Sequence, residues 1–137
     1  EILKLLASKG GILGLSLYPH HLKNNSNCTL DSFCTMIIDL IDLIGVDHIG
    51  FGSDLCQDQP DSVVEWMRVG KWTKKIDYGE GSASNSGFPK MPSWFKGNRD
   101  WKNILDKLQE LGLKQEEIDK IKGLNWYNFL IKTKAFK

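Results

Sequence analysis

The sequence predicts an α/β chain of strand, helix, strand, helix order with a helical tail, and three observations carry that prediction. Two short apolar runs, residues 11–17 (GILGLSL) and 48–53 (HIGFGS), have strand length and lack polar alternation, as strands buried on both faces do. Between them, residues 30–44 place Phe33, Ile37, Leu40, Ile41 and Ile44 on one helical stripe. After residue 98 the chain reads as three amphipathic helices separated by glycines. Such an order favours a parallel sheet with right-handed crossovers.

Taken in turn, residues 1–9 read as the end of a helix with Ile2, Leu3, Leu5 and Leu6 on one side, stopped by Gly10-Gly11. Tyr18-Pro19 ends the first strand, because proline supplies no ladder hydrogen bond. The cluster NNSNCT at 24–29 is a turn in which Asn27 or Thr29 can cap the next helix, and Gly45 stops that helix. The glycines of the second strand allow close approach of a neighbouring chain. A helix follows over about 61–71, with Asp61 able to cap it. Residues 77–93 are rich in Gly, Ser, Asn and Pro and too long for an ordinary connection, so they form a functional excursion or a mobile insertion within one domain, 1–137. The tail helices are expected near 98–111, 115–122 and 124–134, with Asn125 capping the last and Trp126, Phe129 and Leu130 packing inward.

Composition narrows the function classes. With 41% hydrophobic and 26% charged residues the chain is an ordinary globular protein. Eighteen basic against 17 acidic residues leave no electrostatic footprint for nucleic acid or an anionic membrane. Asp39 and Asp42 interrupt the longest apolar run, so no membrane span is expected and a soluble chain is. Three cysteines, Cys28, Cys34 and Cys56, without CxxC spacing fit free thiols and lean towards the cytoplasm. The chain opens directly in a helix without initiator Met or leader, and two strands alone do not make a stable parallel sheet; both predict a start within a domain.

The segment Val46-Asp47-His48-Ile49-Gly50-Phe51-Gly52-Ser53-Asp54 places a carboxylate at the C-terminal end of an apolar strand, where a barrel would put its active site. Asp54 is therefore either a catalytic carboxylate or the cap of the following turn. His48 starts its strand and reads as structural, whereas His20 and His21 read as loop or pocket residues, since no carboxylate or cysteine sits at ligand spacing beside them. The tryptophans 66, 72, 94 and 101 around the Gly/Ser-rich loop read first as packing residues, and the lysines at 74, 75, 132, 134 and 137 as solvated surface.

That segment, with the strand and turn at 11–19, the acidic helix Ile38-Asp39-Leu40-Ile41-Asp42 and the stretch from Leu113 through Gly123-Leu-Asn125-Trp to Leu130, resembles the membrane (renal) dipeptidase family of zinc metallopeptidases in order and spacing. The resemblance implies the C-terminal part of a (β/α)8 TIM-type barrel: its last two βα units plus C-terminal helices. It implies two zinc ions that activate a water for attack on the peptide carbonyl, held by ligands upstream of Glu1, so that this chain alone holds no metal ligand and is inactive. By the same resemblance Asp54 is the catalytic carboxylate that assists proton transfer to the departing nitrogen, and Tyr18 is a substrate contact. The expected partner is a dipeptide; a homodimer stays open. One departure stands out: the family commonly reads Asp-Phe-Asp-Gly where this chain has Asp54-Leu55-Cys56-Gln57. Another amide substrate on the same barrel, or a non-catalytic module that binds a partner through residues 77–93, are the alternatives.

Overall fold

A computed structural model describes residues 1–69 and 81–135. The chain opens with α1 (Ile2–Ser8), whose end is set by glycine chemistry. Gly10 takes φ +73° and donates to Ala7 O, while Gly11 donates to Leu6 O, the paired bonds of a Schellman motif. Only part of the expected stripe turns inward: Leu3 and Ala7 pack on the core, but Ile2 and Leu5 are exposed at 83% and 60%. At about 100° of rotation per residue, Ile2 and Leu5 project well away from the side that carries Leu3 and Ala7, so a single face cannot hold Ile2, Leu3, Leu5 and Leu6 together.

Two parallel strands follow, β1 (Leu13–Leu15) and β2 (Ile49–Phe51), paired Leu13 to Ile49, Gly14 to Gly50 and Leu15 to Phe51. They are shorter than the apolar runs predicted, yet bonds from Gly52 N to Leu15 O and from Leu17 N to Ser53 O carry the pairing past the strand ends. Alternation puts Leu13, Leu15, Ile49 and Phe51 on one face and the two glycines on the other. Helix α2 (Leu30–Ile44) connects them with the predicted bounds. Thr29 caps it, its Oγ1 accepting from Ser32 N at 3.1 Å, and Gly45 ends it at φ +87°. Phe33, Cys34, Ile37 and Ile44 are its buried residues.

After β2 come α3 (Ser62–Val69), then α4 (Trp101–Glu110), α5 (Gln115–Asp119) and α6 (Asn125–Lys132). Residues 70–80, including the expected end of α3, Trp72, Lys74, Lys75 and the start of the Gly/Ser-rich loop, lie outside the described residues, as do Phe136 and Lys137. Helix α4 closes the core over α2 through Ile104 and Leu108, both fully buried, with Lys107 Nζ 2.6 Å from Asp31 Oδ1 at the margin. Gly112, at φ +97°, repeats the Schellman ending, with Gly112 N on Gln109 O and Leu113 N on Leu108 O. The tryptophans at 94 and 101 pack: Trp94 Nε1 donates to Cys28 O at 2.7 Å, and the Trp101 ring lies 4.6 Å from Phe51 and 4.9 Å from Phe95. Trp66 by contrast is exposed.

Asn125 does not cap the last helix as the sequence predicts. Its amide is buried and donates to Val46 O at 2.7 Å and Ile49 O at 2.8 Å, which fastens α6 to the entry of β2. A long-range demand of buried carbonyls overrides local capping here. Among the described residues no helix is long and apolar enough to cross a membrane.

Candidate active site

The parallel pairing brings the two strand exits side by side. Tyr18 follows β1 and Asp54 follows β2, and the Leu17 N to Ser53 O bond of 3.2 Å lies immediately before both residues. The two sequence-predicted site residues therefore share one edge of the sheet and line one cleft of about 290 Å³. Asp54 is exposed and sits at φ 53°, in the left-handed region that Asp and Asn tolerate better than other side-chain-bearing residues. Tyr18 is half-buried, its ring packed 5.5 Å from His20 and 5.1 Å from His21. Its backbone N–H donates to Ser16 Oγ, which also lies 3.0 Å from His21 Nδ1.

The histidines thus have structural surroundings. His20 and His21 form a short 3-10 turn with Pro19 and flank the tyrosine. His48 Nδ1 lies 2.9 Å from Gly11 O and ties the start of β2 to the chain before β1, at the opposite end of the strands from Asp54. Among the described residues no three His, Cys, Asp or Glu side chains gather as ligands for one ion, so these residues do not themselves fit the zinc pair that the resemblance implies.

The rest of the cleft was less legible from the sequence. Its lining also includes Pro19, Leu55, Cys56 and Val64, together with Phe88, Pro89 and Met91. That last segment belongs to the Gly/Ser-rich excursion, whose contribution to a site follows from no local motif. It is joined to the start of α3 by Asp61, which accepts a hydrogen bond from Phe88 N at 3.0 Å across 27 positions of sequence. The departure at 55–57 also acquires a structural meaning. Gln57 Oε1 accepts from Asn98 N at 3.1 Å, linking the loop to the approach of α4, and the left-handed turn residue is Asp58, at φ 58°.

Two of the three thiols are chemically quiet. Burial pushes Cys34 up to about 12 and raises Cys28, although the Lys23 charge draws Cys28 partly back. Cys56 is the exposed one, at the cleft.

Tyr18 and Asp54 stand beside a cleft at the C-terminal ends of parallel strands, the end at which parallel α/β folds carry their ligand sites. The membrane dipeptidase (peptidase family M19) model matches residues 1–75, more than half of the 137, and the chain belongs to that family of hydrolases. Its fold superposes on an amidohydrolase from Pseudomonas aeruginosa with a TM-score of 0.78 at 24% identity, over 94% of this chain and 38% of that one. It superposes likewise on dipeptidase AC, a metallopeptidase of family M19, with a TM-score of 0.64 at 17% identity, over 93% and 30%. The chain thus spans well under half the length of either structure, and at these identities the likeness is one of fold. No curated protein matches it significantly.

Proposed function

We propose that this chain is the C-terminal part of a zinc-dependent dipeptidase barrel, contributing its last two βα units and closing helices, with Asp54 as the catalytic carboxylate and Tyr18 as a substrate contact. The observation that supports the reading best is that both residues line one cleft at the same strand edge, in a chain of family M19. The zinc ligands belong, on this reading, to the remainder of the barrel, and residues 1–137 alone are inactive.

What this chain's own residues do can be stated from their chemistry. The Asp54 carboxylate attracts the α-ammonium of a dipeptide, can accept a proton from the attacking water and can return it to the departing amine, so that the peptide C–N bond breaks with a neutral leaving group. Tyr18 offers a phenol that donates to or accepts from substrate polar atoms while its ring lines the cleft. The test is dipeptide hydrolysis by the full-length, zinc-loaded protein, comparing wild type with Asp54→Asn. A loss of roughly 100-fold or more supports the assignment, as expected for a removed acid/base group. Wild-type protein that keeps its metals but cleaves no dipeptide overturns it.

A second reading, hydrolysis of another amide, is favoured by Cys56 and Gln57, which stand where the family pattern has a second carboxylate and a glycine. A panel of acylated amines run beside the dipeptides distinguishes the two.

A further inference from the structure

We propose that the cleft beside Asp54 is a side-chain pocket selecting an apolar N-terminal residue of the substrate, and that Asp61 is the positioning residue that holds its outer wall, Phe88 to Met91, in place. The proposal rests on the dipeptidase reading and names the substrate class within it.

The first argument is the lining. Six apolar residues, Pro19, Leu55, Val64, Phe88, Pro89 and Met91, surround the space, and among the described lining residues Asp54 alone carries a formal charge. A volume of about 290 Å³ lies at the small end of ligand pockets, which run from roughly 300 to 1,000 Å³, and suits one amino-acid residue better than a long peptide. An ammonium held by Asp54 directs the side chain on the same Cα into this apolar space. A charged side chain would lose hydration there without a partner of opposite sign in the case of Glu or Asp, whereas an aliphatic or aromatic one gains by leaving water.

The second argument is that the wall is fixed by specific contacts with the opening of α3. The Phe88 N–H donates to Asp61 Oδ1 at 3.0 Å. Gly87 lies so close on the same carboxylate that a Cβ there would come about 2.5 Å from it, so a larger residue would have to displace the Asp61 side chain. One turn further along α3, Glu65 Oε1 lies 3.5 Å from Ser86 Oγ, a weak second tie. Val64, between the two acidic residues, is buried and faces the cleft. The same helix turn therefore supplies part of the pocket lining and the anchor for the segment that bears Phe88 to Met91.

The experiment uses the full-length, metal-loaded enzyme and the series Leu-Gly, Phe-Gly, Gly-Gly and Glu-Gly. Wild type is expected to show kcat/KM for Leu-Gly and Phe-Gly at least about 10-fold above Gly-Gly and Glu-Gly, the lower end of what a hydrophobic pocket discriminates. Phe88→Ala and Asp61→Ala should each lower the Leu-Gly to Gly-Gly ratio several-fold, chiefly through KM, while Asp61→Asn, which keeps an acceptor for Phe88 N–H, restores the ratio. A wild-type ratio near one, or variants that depress both substrates equally, overturns the pocket while leaving the dipeptidase reading intact. Should no dipeptide be cleaved, that reading fails, and the pocket is decided by binding instead. Calorimetry should then give 3-methylbutylamine a Kd at least about 10-fold below that of methylamine, with the difference reduced in Phe88→Ala; equal affinities overturn it.

Discussion

Trp126 lies against Gly50 so closely that a Cβ on the glycine would fall 2.3 Å from its indole Nε1. The same ring covers Gly14, the register partner of Gly50, where a Cβ would stand 3.3 Å away, and Nε1–H donates to Phe51 O at 3.0 Å. The two strand glycines are thus the seat of one tryptophan from the last helix. Gly50→Ala should therefore destabilise the full-length protein by about 1–3 kcal/mol, the usual cost of forcing a methyl group into packed space. Gly14→Ala, with more room, should cost less. Urea unfolding of both variants checks the order: equal midpoints would mean that the ring moves aside without resistance.

A second prediction concerns Asn125. Its side-chain amide satisfies two carbonyls, Val46 O and Ile49 O, that flank the turn into β2. Asn125→Leu keeps a side chain of comparable size but leaves both acceptors without this donor, at a cost of about 1–3 kcal/mol each where no water replaces it. A capping role alone would predict roughly 1 kcal/mol and rescue by Ser. Serine is shorter than asparagine and carries a single O–H, so it cannot donate to both carbonyls at once, and Ser and Leu should both be damaging in a thermal melt.

The contrast between Thr29 and Asn125 shows which features local sequence carries. Thr29 lies directly before a long amphipathic helix, and its capping bond is made three residues on, within the range over which pattern and propensity operate. Gly10, Gly45 and Gly112 end their helices at positive φ for the same local reason. The strand end before Asp54 pointed to that residue and the family resemblance to Tyr18, and parallel pairing makes the two strand ends neighbours at one cleft. Asn125, Trp126 and Asp61 act instead on residues 27 to 79 positions away. Nothing in their own neighbourhood distinguishes a polar cap from a buried tie. The apolar wall at 88–91 was hidden within a segment whose composition reads as a loop, because its position over the cleft depends on the Asp61 bond rather than on periodicity.

Asp54→Asn should separate chemistry from folding. The backbone at 54 is left-handed, φ 53°, and Asn accepts that conformation as readily as Asp. The variant is thus expected to melt within a few degrees of wild type, since an exposed change that leaves backbone preference intact is usually within about 0.5 kcal/mol of neutral, while hydrolysis falls roughly 100-fold. Asp54→Val changes the balance: a β-branched residue resists this region, so activity and melting temperature should fall together. Circular dichroism melts beside initial rates distinguish the two outcomes, and an Asn variant that melts early would point to Asp54 as a structural turn residue.

The buried thiol of Cys34 predicts an alkaline limit to stability. Burial raises it to about 12 from an ordinary 9.0, and its Sγ–H points to Ile104 O at 3.9 Å, inside the contact between α2 and α4. A raised folded-state value means that the unfolded chain releases this proton first. The contribution is therefore complete below pH 9 and is lost progressively as pH climbs from 9 towards 12, at up to about 1.4 kcal/mol per pH unit while the two states differ by one proton. Cys28, also raised by burial, acts in the same direction. Cys34→Ala removes the titrating group, so its unfolding free energy should decline less steeply than wild type between pH 9 and 11, even though the cavity lowers its value at pH 7. Parallel slopes for the two proteins would show that the Cys34 proton is not what the alkaline loss measures. In the native protein at pH 8, iodoacetamide should label Cys56 well before Cys34, because the reactive species is the thiolate and only Cys56 is exposed.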